Sequence, residues 1–74
     1  MTIDVKLFAT LREGRGKVVS LDYEQIPDLR TITQEMDITE DNIAILLVNG
    51  RDARLEDVPQ DGDVISIFPP VGGG

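Results

Sequence analysis

The chain opens with the stretch IDVKLFATL, residues 3–11, in which apolar and polar residues alternate. A period of two places every second side chain on the same face of a strand. The pattern therefore predicts a strand from Ile3 to Leu11 with one buried face. Phe8 interrupts the alternation, because it should point away from the core. The apolar residues on odd positions are Ile3, Val5, Leu7, Ala9 and Leu11.

The segment after this strand predicts a β-hairpin. Residues 13–16 read Glu-Gly-Arg-Gly, and two glycines permit the positive φ that tight turns require. The stretch from Lys17 to Leu21 is then the returning strand. We expect the three cations near this hairpin, Arg12, Arg15 and Lys17, to form a solvated rim.

One amphipathic helix follows the hairpin. Leu29, Ile32 and Met36 recur at spacings of three and four, which is typical of a helix of two to three turns. Pro27 is suited to the first helical turn, and Asp28 to the positive end of the helix dipole.

The second half of the chain predicts three more strands. The continuous apolar run from Ile43 to Val48 indicates a strand covered on both faces. Asn49-Gly50 predicts a type I′ turn, followed by a short polar edge strand over residues 51–54. A polar turn, Asp61-Gly62-Asp63, introduces the last strand, Val64 to Phe68. The carboxylates of Asp61 and Asp63 lack the spacing of a calcium loop, so we expect a turn and no metal site.

The element order β-β-α-β-β-β predicts an α+β domain of the β-grasp, ubiquitin-like type. Its mixed sheet would have four to five strands packed on one main helix. We expect residues 1–68 to form this domain and residues 69–74 to form an extended, flexible C-terminal tail.

Composition narrows the chemistry that the chain can perform. Its 74 residues contain no cysteine and no histidine, which removes the usual nucleophile, the usual base near neutral pH and the commonest metal ligands. We therefore expect a carrier or a binding module and not an enzyme. The net charge of −7 argues against nucleic acid as a partner and favours a partner with a basic surface. Neither a long apolar run nor a signal peptide is visible, so we expect no membrane association and a cytoplasmic location.

The tail carries the clearest functional signal. It reads Pro69-Pro70-Val71-Gly72-Gly73-Gly74, and fully extended it would reach at most about 20 Å beyond Phe68. Glycines have no Cβ, so such a thread can enter a narrow channel. The carboxylate of Gly74 would be ionised at neutral pH and could attack the α-phosphate of ATP in a partner's active site.

Three parts of the sequence resemble the MoaD/ThiS family of ubiquitin-like sulfur carriers. The most specific is the ending Phe-Pro-Pro-Val-Gly-Gly-Gly, residues 68–74, preceded by the turn at residues 61–63. Lys6-Leu7-Phe8-Ala9 with Leu11-Arg12-Glu13 is similar to the family's first strand, and Val48-Asn49-Gly50 to its central turn. Pro-Pro-Val further resembles the small subunit of molybdopterin synthase.

The resemblance implies that Gly74 is adenylated by an E1-like enzyme of the MoeB/ThiF type and becomes a thiocarboxylate. That partner would supply ATP and Mg²⁺, and the carrier itself would bind no cofactor. Gly73 and Gly74 would be the functional diglycine, and Gly72 the variable spacer. A MoaE-like synthase subunit would accept the sulfur in molybdenum or tungsten cofactor biosynthesis. We expect Phe8 and Phe68, on neighbouring strands, to form the partner interface.

Other interpretations fit the same residues. A carrier for the thiamine pathway would use the same terminal chemistry. A ubiquitin-like modifier would be joined through Gly74 to lysines of other proteins. A plain β-grasp interaction module would leave the tail without a chemical role.

Overall fold

The computed structural model describes residues 1–70, which form a five-stranded mixed sheet and one α-helix. The strands are β1 (Thr2–Leu7), β2 (Val18–Asp22), β3 (Ile45–Val48), β4 (Arg51–Asp52) and β5 (Val64–Phe68). The helix, α1, spans Leu29–Glu35, and two short 3₁₀ helices cover Ala9–Arg12 and Glu40–Asn42.

The strand order is β2-β1-β5-β3-β4. The central pair, β1 and β5, is parallel, with Asp4 opposite Val64 and Leu7 opposite Ile67. The other three pairs are antiparallel. This arrangement confirms the predicted β-grasp fold. Because β1 and β5 run in the same direction, both strands finish at the same end of the sheet.

The core lies between α1 and one face of the sheet. Leu29 and Ile32 of the helix are buried against residues from the three central strands. Alternation along each strand leaves the opposite face of the sheet, here called the outer face, uncovered by the helix. The fully buried side chains are Ile3, Val5, Leu7, Leu29, Ile32, Ile65 and Ile67.

Local polar contacts set both ends of α1. Asp28 caps the helix, and its Oδ1 accepts a hydrogen bond from the Thr31 N–H at 3.0 Å. Pro27 therefore precedes the cap and does not lie in the first turn as predicted. At the other end the Ile38 N–H donates to Thr33 O, and Asp37 adopts φ 57°. This is a Schellman ending with an aspartate where glycine is usual.

Arg15 closes the same helix end, which corrects the prediction of a solvated rim. Its Nε donates to Met36 O at 3.0 Å and one Nη donates to Asp37 O at 3.3 Å. The final carbonyls of a helix have no partner within the helix, so a guanidinium brought close to them is held there.

The first strand is shorter than predicted. β1 ends at Leu7, and the chain turns at Ala9, with φ 53°, into the 3₁₀ helix. This turn returns Leu11 to the core. Leu7 and Leu11 are four residues apart, so a strand and a helical turn both place them on one side. Alternation alone therefore could not distinguish a strand from a helical turn.

The prediction that Ile43–Val48 is covered on both faces is wrong. The strand begins at Ile45, and only Leu46 is buried. Ile45 remains 49% exposed on the outer face. The helix therefore does not cover the apolar side chains on the outer face.

The predicted turns are confirmed. Asn49 and Gly50 have φ of 52° and 82°, as a type I′ hairpin demands, and β4 follows as a short edge strand. In the turn before β5, Asp61 accepts from the Thr2 N–H at 2.8 Å and Asp63 accepts from the Gln60 N–H at 2.8 Å. These carboxylates serve the fold, and residues 1–70 hold no cluster of potential metal ligands.

Candidate partner-binding surface at the root of the tail

The structure brings Phe8 and Phe68 together. Phe8 follows β1 in extended conformation, and Phe68 ends β5, its parallel neighbour. Their ring centroids lie 4.1 Å apart with an interplanar angle of 10°, a stacked pair. Both rings are half-buried. The sequence-based expectation that these two aromatics form one patch agrees with this geometry.

Two further apolar residues extend this pair across the outer face. Ile45 pairs with Phe68 and Leu47 pairs with Ser66, so both lie on the same face as the rings. We call Phe8, Ile45, Leu47 and Phe68 the tail-root patch. Sequence reasoning missed Ile45 and Leu47, although the unbroken apolar run of β3 was the signal. An apolar outer face can be covered by a partner as well as by the chain itself.

Arg12 forms a third layer on this stack. Its guanidinium carbon lies 5.4 Å from the centroid of the Phe8 ring, within the range of a cation–π contact. Its Nε donates to Leu7 O at 2.8 Å, which fixes the side chain where β1 ends. Arg12 is exposed, as the predicted solvated rim requires, and the contact with Phe8 is a role that the sequence did not indicate. The arginine holds Phe8 in place while it adds positive charge beside the patch.

Charge is distributed unevenly between the two ends of the sheet. Lys6, Arg12 and Lys17 lie at the end where β1 and β5 finish. Asp22, Asp61 and Asp63 lie at the opposite end, around the start of the same strands. On the outer face, Lys6 and Arg12 lie beside the phenylalanine side of the tail-root patch, and Asp52, opposite Leu47, lies beside its other side.

The tail itself is described only at its start. Pro69 is buried and Pro70 is exposed. The predictions for Val71, Gly72, Gly73 and Gly74 fall outside the described residues. Two surface depressions, of about 550 and 420 Å³, share no lining residue with the tail-root patch. In residues 1–70 the candidate site is therefore a surface and not a pocket.

None of the helices within residues 1–70 is long and apolar enough to span a membrane.

The fold defines a ubiquitin-like protein. A model of the ThiS family matches residues 5–74. The chain therefore belongs to the ThiS family, as its sequence predicts. A comparison with curated proteins gives no match.

Solved structures agree with this assignment. Small archaeal modifier protein 1 from Haloferax volcanii is 26% identical with a TM-score of 0.77, over 95% of this chain and 98% of that chain. A chain in the complex of subunits 1 and 2 of molybdopterin-converting factor from Helicobacter pylori is 27% identical with a TM-score of 0.65, over 100% of both. Urm1 from Trypanosoma brucei, at 18% identity, has a TM-score of 0.75 over 99% of this chain and 95% of that chain, which bears on the fold alone.

Proposed function

We propose that this chain carries sulfur as a thiocarboxylate on Gly74, for the biosynthesis of a molybdopterin-type cofactor. The observation that carries this proposal is the position of the Phe8–Phe68 stack. It lies where β5 ends, so the tail leaves the domain beside a partly exposed apolar surface. A partner that docks on this surface would receive the tail at a defined position.

The chemistry requires no catalytic side chain from the carrier. The Gly74 carboxylate attacks the α-phosphate of ATP and releases pyrophosphate, which gives an acyl-adenylate. Hydrosulfide from a sulfur donor then attacks the acyl carbon, AMP leaves, and the terminal thiocarboxylate remains. An E1-like enzyme would bind ATP and Mg²⁺ and stabilise the charge that develops at the phosphate. A MoaE-like synthase subunit would then accept the sulfur.

The tail-root patch indicates the surface of that partner. Its four apolar side chains need an apolar counterpart, and half-exposed aromatic rings are common anchors of interfaces. Lys6 and Arg12 beside the rings favour acidic groups on the part of the partner that meets them, and Asp52 beside Leu47 favours a basic group there. The expectation of a basic partner surface, which rests on net charge, stays a prediction.

Two similarities bear on the pathway. The 27% identity to a chain of the Helicobacter pylori molybdopterin-converting factor complex, over the full length of both chains, supports a molybdopterin route. The 26% identity to small archaeal modifier protein 1 supports protein modification through Gly74 as the second candidate. Both use the same activation of the terminal carboxylate.

The test is an intact-mass measurement after incubation with the cognate E1-like enzyme, ATP and a sulfur donor. The proposal expects one oxygen to be replaced by sulfur at the terminus. The same thiocarboxylate should then restore cofactor synthesis by the synthase subunit. A lysine isopeptide adduct would instead establish the modifier, and an unchanged mass would contradict both.

Two glycine-to-alanine variants provide a matched control. Gly73→Ala places a methyl group in the diglycine and should abolish the mass change. Gly72→Ala adds the same methyl group one residue earlier, at the spacer position, and should leave the reaction nearly intact. Equal effects of the two substitutions would contradict a specific diglycine site.

A further inference from the structure

β2 lies at one edge of the sheet and pairs only with β1 among residues 1–70. Two main-chain hydrogen bonds fix its orientation, from the Leu7 N–H to Lys17 O at 2.9 Å and from the Tyr23 N–H to Met1 O at 2.8 Å. Main-chain groups alternate along an antiparallel pair. Since residues 17 and 23 face β1, the N–H and C=O groups of the even-numbered residues face away from the sheet: Val18, Ser20 and Asp22.

β2 carries one charged side chain, Asp22 at its last position, and few other features by which proteins usually prevent strand addition. β2 has five residues and contains neither proline nor lysine. Val18 is 53% exposed on the outer face. The other edge strand, β4, is different, because its two residues, Arg51 and Asp52, offer too short an edge for a further strand to pair with.

The charges around β2 favour one particular partner. Lys6 and Lys17 lie at its beginning, while Asp22 and Glu24 lie at its end. A second β2 in antiparallel orientation places each positive end beside a negative end, whereas a parallel second strand would set like charges together. The strand is therefore complementary to itself.

We propose that β2 pairs with β2 of a second copy of this chain, antiparallel and centred on Ser20. Val18 then lies opposite Asp22 of the second copy, and Ser20 lies opposite Ser20. Lys6, which pairs with Val18, lies on the same face as Asp22 of the second copy, two strand spacings or about 10 Å away between backbones. These two long side chains can approach each other above Val18.

The resulting dimer has one continuous sheet across both copies. Its two-fold axis is perpendicular to the sheet, so the two tail-root patches face the same side at opposite ends. The interface consists of one short strand from each copy, which is small by the standard of stable complexes. The dimer is therefore transient, with a dissociation constant on the order of 0.1–1 mM.

The first test is sedimentation velocity of the full chain over a range of concentrations, with two variants at Ser20. Ser20→Pro removes an N–H that faces away from β1, so it blocks pairing with a second copy without removing a bond of the sheet. It should raise the dissociation constant at least about tenfold. Ser20→Ala, the matched control, loses only the hydrogen bond from Oγ to Asp4 Oδ1 at 2.7 Å and should dimerise as the unmodified chain does. A monomeric unmodified chain at millimolar concentration, or equal dimerisation of both variants, would overturn the proposal.

A second test does not depend on the folding of the proline variant. The chain contains no cysteine, so Ser20→Cys introduces a single thiol at the predicted two-fold axis. Opposed Cα atoms there would be about 5.5 Å apart, which suits a disulfide. Under mild oxidation Ser20→Cys should form covalent dimers at least about ten times faster than Asp52→Cys, an exposed position on the other edge. Equal rates would mean random collision and would contradict the proposed pairing.

Discussion

At the end of the sheet where β1 and β5 begin, polar side chains are engaged with the fold. Asn49 accepts from the Val64 N–H at 2.9 Å and donates to Asp63, which also accepts from the Gln60 N–H. At the end where the same strands finish, Phe8 and Phe68 stack on each other and stay half-exposed. The polar contacts at the first end stabilise the domain, whereas the second end leaves apolar surface partly exposed. If the proposed function holds, the domain separates stability from recognition along its two central strands.

Phe68→Ala tests this separation with the largest expected effect. We expect the rate of E1-dependent modification to fall about 100-fold, because central aromatic anchors contribute most of the binding free energy at interfaces. The free energy of unfolding should fall by only about 1–2 kcal/mol, since the substitution removes a half-buried ring and one stacking contact. Modification kinetics and urea denaturation measure the two losses.

Val58→Ala is the control for that variant. Val58 is 65% exposed and lies outside the tail-root patch, so both measurements should be unchanged. The loss in modification rate can be converted into a free energy. If the free energy of unfolding falls by as much in Phe68→Ala, the rings belong to the core and the two ends of the sheet do not differ in role.

Asp63→Ala tests the opposite end. The substitution removes the acceptor for the Gln60 N–H and for Asn49 Nδ2, and we expect a loss of about 1–3 kcal/mol in the free energy of unfolding. The modification rate of the folded variant should stay the same. Asp52→Ala, an exposed aspartate on β4, should leave stability nearly unchanged. A drop in modification rate for Asp63→Ala would show that the partner also contacts this end.

Both ends of the sheet contain glycines with positive φ, among them Gly14 and Gly16 after β1, but they differ in the other residues that adopt it. Near Asp63, positive φ is taken by Asn49, Gly50 and Gly62, residue types that tolerate it. Beside the tail-root patch it is taken by Ala9, with φ 53°. Ala9→Gly should therefore stabilise the domain by up to about 1 kcal/mol, as measured by thermal unfolding.

Thr10→Gly is the matched control for Ala9→Gly. Thr10 lies in the same 3₁₀ helix without positive φ, so glycine there only adds freedom to the unfolded chain and should destabilise by about 0.5–1 kcal/mol. Destabilisation by Ala9→Gly of the same size would mean that Ala9 stores no strain.

These regions also differ in how far the sequence predicts them. The Asn49-Gly50 turn and the strand Val64–Phe68 are local patterns, and both are confirmed, whereas the edge strand predicted over residues 51–54 ends at Asp52. The turn at Ala9 was missed, because nothing in an alanine indicates left-handed backbone and the burial of Leu11 fits two geometries. The role of Arg15 was missed because its acceptors belong to a helix end that lies 21 and 22 residues further along the chain.

The candidate site shows the same limit. Phe8 and Phe68 were predicted together, since the β-grasp order makes their strands neighbours. Ile45 was assigned to a strand covered on both faces, because an apolar run cannot tell a side chain that the chain covers from one that a partner covers. Whether the chain itself covers a side chain depends on the tertiary arrangement, in which α1 packs against only one face of the sheet.

Tyr23, at the end of the sheet where β1 begins, carries the smallest predicted effect. Burial, with a further contribution from the negative charge of Glu35, raises the pKa of its phenol above the ordinary value of 10.0. The folded chain therefore holds this proton more tightly than the unfolded chain. The resulting stabilisation is complete below pH 10.0 and is lost as the pH rises from there through the folded pKa. Tyr23 is the only tyrosine in the chain, so an absorbance titration of phenolate measures its pKa directly. Tyr23→Phe should show a smaller loss of stability above pH 10.0 than the unmodified chain, and identical pH profiles would mean that Tyr23 is as solvated as in the unfolded chain.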